Sequence, residues 1–159
     1  MYLVFFLSVI VLVYLLKFKK DFFKSVKKNK LRINRETKKI VKPYHNKRAY
    51  FRIKKLYKKT LHKFDFVPRM DFNDKKFEIT EDYIPSKLKK KNRPKDYVKQ
   101  LENIYKTFRD NNLYHNELRE PHLLLKNGKI FVIDFEWTSS KYKKWGFNKP
   151  LEYHINRLK

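Results

Sequence analysis

The sequence predicts an α+β fold in which a small antiparallel sheet packs against helices. Two segments, residues 46–64 and 95–112, repeat apolar side chains at the three- and four-residue spacing of amphipathic helices. Asn127-Gly128 separates two short apolar runs, which is a strong hairpin signal because both turn positions need a positive φ. Strands therefore precede, separate and follow the helices, an order typical of α+β proteins.

The chain begins with an uncharged apolar segment, residues 2–16. As a helix it would span about 22 Å at about 1.5 Å per residue, somewhat less than a hydrocarbon core of roughly 30 Å. Its start lacks Lys and Arg, and no small-residue cleavage site follows, so a cleaved signal peptide is not favoured. Residues 1–18 are predicted to be a transmembrane anchor. The lysines that follow predict a single-pass membrane protein with a cytoplasmic C-terminal domain.

The composition is strongly basic, with 41 Lys and Arg against 16 Asp and Glu and a formal net charge of +25. Such a charge attracts anionic lipid surfaces, phosphorylated sugars or nucleic acid. Nucleic acid is the least favoured partner, because no recognition motif accompanies the charge and a Lys- and Asn-rich compositional bias explains much of it. The chain has no Cys, which excludes disulfides, thiolate metal sites and a cysteine nucleophile.

Residues 19–37 are predicted to be a basic juxtamembrane linker, and residues 38–159 the folded domain. Ile40–Lys42 is a short strand. The helix over residues 46–64 follows, with Asn46 as its N-cap.

The remaining elements follow from alternation and turn residues. Asn73-Asp74 is expected to join two strands, and a Lys-rich loop covers residues 86–94 before the second helix. The predicted strands and the final short helix are Val67–Phe72, Lys76–Ile84, Leu123–Leu125, Ile130–Ile133 and Pro150–Leu158.

A polar cluster at the start of the hairpin carries the candidate chemistry. Glu117 and His122 precede the first hairpin strand and Asp134 follows the second, so the hairpin brings them towards each other. His122 and Asp134 are candidate ligands for one Mg²⁺, which binds few carboxylates together with substrate phosphates. Glu117 would orient a reacting hydroxyl. The alternatives are an ion pair of Glu117 with Arg119, a structural His122 and a strand-end turn at Asp134.

The text HNELREPH followed by VIDFE resembles the H-x-D-x-x-x-x-N and I-D-F motifs of protein-kinase-like phosphotransferases. The similarity is closest to the lipopolysaccharide (Kdo/heptose) kinases and the aminoglycoside phosphotransferases. It implies a minimal protein-kinase-like core that uses ATP and Mg²⁺. Glu117 falls at the catalytic Asp position, and His122 and Asp134 fall at the two metal-binding positions. His115 matches the motif His and is expected to be architectural.

The resemblance extends over roughly residues 38–138. It implies that Lys42 contacts the ATP phosphates and that the backbone around Glu81–Tyr83 binds adenine. It also implies that the helix over residues 46–64 is the counterpart of kinase helix C.

The expected function is a membrane-anchored, ATP- and Mg²⁺-dependent phosphotransferase. It would act on a hydroxyl of a phosphorylated sugar or lipid acceptor, such as a lipopolysaccharide or lipid-linked sugar. The alternative is a catalytically dead kinase-like module that binds a partner or an anionic lipid surface. Three departures favour it: the chain has no Gly-rich phosphate loop, no Glu between Thr37 and Phe77, and Glu117 in place of Asp.

Overall fold

The computed structural model describes residues 31–142 and 150–159, and within them the α+β prediction is confirmed. The helices are α1 (Lys47–Lys59), α2 (Tyr97–Asp110) and α3 (Leu151–Leu158). The strands are β1 (Arg32–Asn34), β2 (Lys39–Pro43), β3 (Met70–Asn73), β4 (Glu78–Asp82), β5 (Ser86–Lys87), β6 (Leu123–Lys126) and β7 (Lys129–Val132). They form two antiparallel sheets, with strand orders β1-β2-β4-β3 and β5-β6-β7.

Pairing between β2 and β4 fixes which side chains share a face of the first sheet. Ile40 lies opposite Glu81, and Lys42 lies opposite Ile79. Because directly opposed residues point to the same face and side chains alternate along a strand, Lys42 and Glu81 are diagonal neighbours on one face.

Helix α1 starts as predicted but ends earlier. The Asn46 side chain accepts a hydrogen bond from the Ala49 N–H at 3.2 Å, which satisfies a free donor of the first turn. Thr60 leaves the helical conformation, with φ −141°, and the chain continues as a 3₁₀ turn over Leu61–Lys63. The helical spacing that extended to Phe64 therefore reflects burial of this turn in the same core.

Strand β3 starts three residues later and ends one residue later than predicted, and β4 is shorter than predicted at both ends. β3 starts at Met70 because the buried Pro68 has no N–H to donate to a ladder. The turn covers residues 74–77, since the Asn73 side chain accepts the Lys76 N–H at 3.2 Å. Phe77, predicted in the strand, has a left-handed φ of 50° in this turn. The two-residue strand β5 lies where a loop was expected.

The hairpin β6–β7 is confirmed, with φ of 51° at Asn127 and 75° at Gly128. The Gln100 side chain of α2 forms two hydrogen bonds with the hairpin backbone. The Gln100 amide donates to the Gly128 carbonyl at 2.8 Å and accepts the Ile130 N–H at 2.8 Å. The hairpin is thereby held against α2 by the same side chain that caps its turn.

One core joins both sheets to the helices. Its fully buried side chains come from every layer: Ile53 from α1, Leu61, Ile79 from β4, Leu101 and Ile104 from α2, and Leu123, Ile130 and Val132 from the hairpin. The backbone adds a link between them, because the Val132 N–H donates to the Phe66 carbonyl at 2.8 Å.

The localisation predicted from the sequence is corrected by the structure. Within residues 31–142 and 150–159, no helix has the length and apolar character needed to cross a membrane. A single-pass membrane protein is therefore unsupported. The predicted anchor itself, residues 1–18, lies outside the described residues, as does most of the predicted linker.

Leu101→Ala is expected to lower the free energy of unfolding by about 2–5 kcal/mol, because Leu101 is completely buried at the centre of the shared core. Leu31→Ala is the matched control, since Leu31 is 55% exposed, and should change it by less than about 0.5 kcal/mol. Urea unfolding followed by circular dichroism measures both. Equal losses for the two variants would contradict a single core centred on α2.

Candidate active site

Two loops flank the hairpin, and buried side chains join them. The His115 imidazole Nε2 lies 2.9 Å from the Ile133 carbonyl, to which it donates. The Asn116 amide donates to the carbonyls of Trp137, at 3.0 Å, and Lys141, at 3.1 Å. His115 is 3% exposed and Asn116 2% exposed. These bonds fix the loop before β6 to the segment after β7. The pairing of the two strands does not by itself determine the relative positions of these segments.

This arrangement brings together three of the predicted site residues. One potential ligand atom each from Glu117, His122 and Asp134 lies within 4.8 Å of the other two. The set offers one imidazole nitrogen and two carboxylate oxygens, which fits a divalent cation.

His122 is held in a defined tautomer. Its ring is buried, and Nδ1 lies 2.7 Å from the Glu117 carbonyl oxygen. A carbonyl can only accept, so Nδ1 carries the hydrogen and Nε2 carries a lone pair in the neutral ring. That Nε2 faces a carboxylate oxygen of Asp134 at 3.3 Å. A metal-binding histidine is commonly oriented in this way, with the second nitrogen donating to a backbone carbonyl.

Asp134 adopts a left-handed conformation, with φ 67° and ψ 63°. Asp enters this region more readily than most non-glycine residues, and the conformation here allows the tight turn at the end of β7. The turn after Asp134 is held from α1. The Arg52 guanidinium donates to the Glu136 carbonyl and lies 5.8 Å from the centre of the Trp137 ring.

Glu117 has two relationships in the structure. Its carboxylate pairs with Arg119 at 3.0 Å, as the ion-pair alternative predicted, and its side chain is 14% exposed. The same carboxylate also belongs to the group with His122 and Asp134. It is therefore held at the site by a cation and still faces the two candidate metal ligands.

Lys42 has an ion-pair partner that the sequence did not reveal. Its ammonium lies 2.6 Å from the Glu81 carboxylate, and these side chains are 17% and 5% exposed. The partner comes from strand β4, next to β2, and not from helix α1. Glu81, predicted to contribute through its backbone, thus contributes a buried side chain that fixes Lys42.

The predicted adenine-binding backbone is partly engaged within the first sheet. The Tyr83 N–H donates to the Lys38 carbonyl at 2.9 Å, and the Asp82 N–H donates to the Arg69 carbonyl at 3.2 Å. Both donors are turned towards protein carbonyls, so a base bound here would need other groups of the segment. Adenine binding at Glu81–Tyr83 stays a prediction.

Carboxylates from strand β4 and from the segment after β7 act on the same group, the Tyr44 hydroxyl. Burial raises the pKa of the Tyr44 hydroxyl, and the charges of Glu81, Asp134 and Glu136 raise it further. Burial also raises the pKa of Glu136. There Asp134 adds to the effect and Arg52 opposes it. A locally acidic site thus lies within a basic chain.

Sequence reasoning missed four residues that shape this site: Tyr44, Arg52, Asn116 and Glu136. Glu136 and Asn116 adjoin the recognised motifs, and that adjacency was the available signal. Tyr44 and Arg52 carry no sequence signal, because Tyr and basic residues are abundant along the whole chain.

Comparisons with protein-family models and with curated proteins give no match for this chain. The family resemblance therefore stays a prediction.

The stability of the domain should fall on acidification because His115 is buried. Burial lowers the pKa of His115 from 6.5 to about 4, an effect to which neighbouring His122 adds and which the Ile133 bond and Asp134 oppose. Between these pH values the unfolded chain binds a proton that the folded chain does not. The free energy of unfolding is thus retained above about pH 6.5 and decreases by about 3 kcal/mol towards pH 4.

Replacing His115 with Gln, which retains an amide donor for the Ile133 carbonyl, should flatten this pH dependence. His62→Gln is the control, since His62 is exposed. Chemical denaturation at half-unit pH steps from 7 to 4 measures the three slopes. An unchanged slope in His115→Gln would contradict a neutral buried imidazole.

Proposed function

We propose that this protein is a phosphotransferase with a protein-kinase-like core, which uses ATP and a divalent cation to phosphorylate a hydroxyl group. The observation that carries the proposal is the grouping of Glu117, His122 and Asp134 within 4.8 Å, with Asp134 in the left-handed conformation. These three positions are the ones that the motif resemblance assigns to the catalytic carboxylate and the two metal ligands.

Each residue of the group has a role that its surroundings support. His122 and Asp134 hold the cation, which when bound neutralises charge on the ATP phosphates. Glu117 lies beside them and orients the acceptor hydroxyl. During transfer the acceptor oxygen bonds to the γ-phosphorus, the bond from that phosphorus to the β–γ bridging oxygen breaks, and the hydroxyl proton passes to Glu117. ADP is the leaving group.

Lys42 supplies a positive charge for the phosphates. Its pair with Glu81, at 2.6 Å, restricts the ammonium to one position and offsets the desolvation of both groups. In this chain, which lacks a Gly-rich loop, the anchored lysine takes a larger share of phosphate positioning.

The acceptor is proposed to carry a phosphate of its own, as on a phosphorylated sugar. A cavity of about 540 Å³ adjoins the turn Glu120–His122, which presents His122 to the site. Arg157, on its wall, pairs with Glu120 at 3.1 Å. Several cations line this cavity and favour an anionic ligand there: Lys87, Lys89, Lys90 and Arg157.

A second candidate is a kinase-like module that binds a nucleotide or a partner without catalysis. The pair between Glu117 and Arg119 favours it, because the guanidinium engages a carboxylate oxygen that would otherwise be available to orient an acceptor hydroxyl. The engaged Tyr83 N–H favours the form of this module that binds a partner and no nucleotide, since one expected contact to adenine is missing.

The Glu117→Gln variant separates the two candidates. Loss of the proton acceptor should slow ADP formation by about 10²–10⁴-fold while nucleotide affinity is retained. Turnover of the full-length protein is followed by ADP release, with ATP and a mixture of phosphorylated monosaccharides as acceptors. Glu102→Gln on helix α2 is the matched control and should leave turnover unchanged, because Glu102 is exposed and lies outside the site.

Turnover that survives both Glu117→Gln and Asp134→Asn would refute the residue assignment. Nucleotide binding without turnover in the wild-type protein would favour the non-catalytic module.

A further inference from the structure

We propose that the site formed by Glu117, His122 and Asp134 selects a first-row transition ion, such as Mn²⁺ or Co²⁺, over Mg²⁺. The inference rests on the metal site of the proposed function, although not on phosphotransfer itself. It also revises the Mg²⁺ that the motif resemblance implies, because His122 stands where the family motif has an Asn.

The lone pair of the His122 imidazole points at a carboxylate. The carbonyl of Glu117 takes the hydrogen on Nδ1, so Nε2 presents its lone pair to the Asp134 carboxylate at 3.3 Å. Two lone pairs facing each other at this distance repel unless a proton or a cation lies with them. Glu117 places a second carboxylate within 4.8 Å, which adds negative charge beside a cation held by His122 and Asp134.

The His122 imidazole is held rigidly by its surroundings. His122 is 6% exposed, and its imidazole packs against the His115 ring with 5.9 Å between centroids. His115 is itself tied to the Ile133 carbonyl. The nitrogen ligand is therefore preoriented, and little side-chain freedom is lost when a cation binds.

The site offers one imidazole nitrogen together with carboxylate oxygens, a combination that suits transition ions better than Mg²⁺. Mg²⁺ favours carboxylates, phosphates and water and is poorly served by an imidazole, whereas imidazole suits transition ions. For a mixed nitrogen and oxygen site, affinity rises from Mn²⁺ to Co²⁺ in the Irving–Williams order. The neighbouring Glu136 and Glu81 carboxylates add a negative field that attracts any divalent cation, and so do not discriminate. Selectivity is thus assigned to His122.

The test uses the full-length protein without a histidine tag and the metal ions alone, with no nucleotide. Calorimetric titration should give Co²⁺ an affinity at least about tenfold higher than Mg²⁺. Pulsed electron paramagnetic resonance of the Mn²⁺-loaded protein should show coupling to an imidazole ¹⁴N. His122→Asn, which supplies an oxygen ligand, should lose the ¹⁴N coupling and reduce the Co²⁺-to-Mg²⁺ affinity ratio by about tenfold.

His62→Asn is the matched control. His62 also directs Nδ1 to a carbonyl five residues earlier, that of Tyr57 at 2.9 Å, but it lies outside the three-residue group. This variant should keep both the affinity ratio and the ¹⁴N signal.

Equal affinities for Mg²⁺ and Co²⁺ in the wild-type protein, or Mn²⁺ binding without ¹⁴N coupling, would overturn the proposal. The resonance measurement on the wild-type protein decides the question even if His122→Asn does not fold. Absence of ADP formation would refute phosphotransfer while leaving the metal preference intact. Turnover at the same rate with Mg²⁺ and Co²⁺, together with equal affinities for the two ions, would refute the metal preference and leave phosphotransfer intact.

Discussion

Hydrogen bonds from two buried side chains, His115 and Asn116, add to the backbone bridge between Tyr114 and Ser139 in holding the site together. The hairpin turn fixes only β6 and β7, whereas the reactive groups lie in the loops before and after those strands. His115 and Asn116 donate across this gap to backbone carbonyls of the segment after β7. Loss of such a donor would leave a buried acceptor unpaired, at a cost of about 1–3 kcal/mol. The geometry of the three candidate metal ligands therefore depends on residues outside that group.

Charge is divided between the site and its surroundings. The chain as a whole carries a formal net charge of +25, a field that would attract anionic ligands. Near the site the balance reverses, because the negative charges of Glu81, Asp134 and Glu136 all act on the Tyr44 hydroxyl. Lys42 pairs with Glu81. A bound divalent cation would relieve repulsion among these carboxylates. The arrangement thus favours an anionic ligand that arrives together with its cation.

Local sequence patterns predicted the helices and strands, but they did not predict the contacts between residues far apart in the sequence. Asn127-Gly128 and the helical spacing of α2 were decisive because they depend on turn geometry and periodicity alone. The motif also brought Glu117, His122 and Asp134 to attention. The pairing of Lys42 with Glu81 depends on strand register, and the contact of Arg52 with the turn after Asp134 depends on helix docking. Neither is encoded in nearby residues, so sequence reasoning did not find them.

The loop before β6 and the segment after β7 are proposed to form together a nucleotide site that depends on a cation. Thermal unfolding of the full-length protein, with ATP and Mn²⁺ added singly and together, tests it most directly. At about 100 times the dissociation constant, joint addition should stabilise the protein by about 2.7 kcal/mol. Each ligand alone should do much less. Asp134→Asn should abolish the joint effect, and Asp71→Asn, an exposed site on β3, should retain it. No joint stabilisation, or a full effect in Asp134→Asn, would contradict the claim.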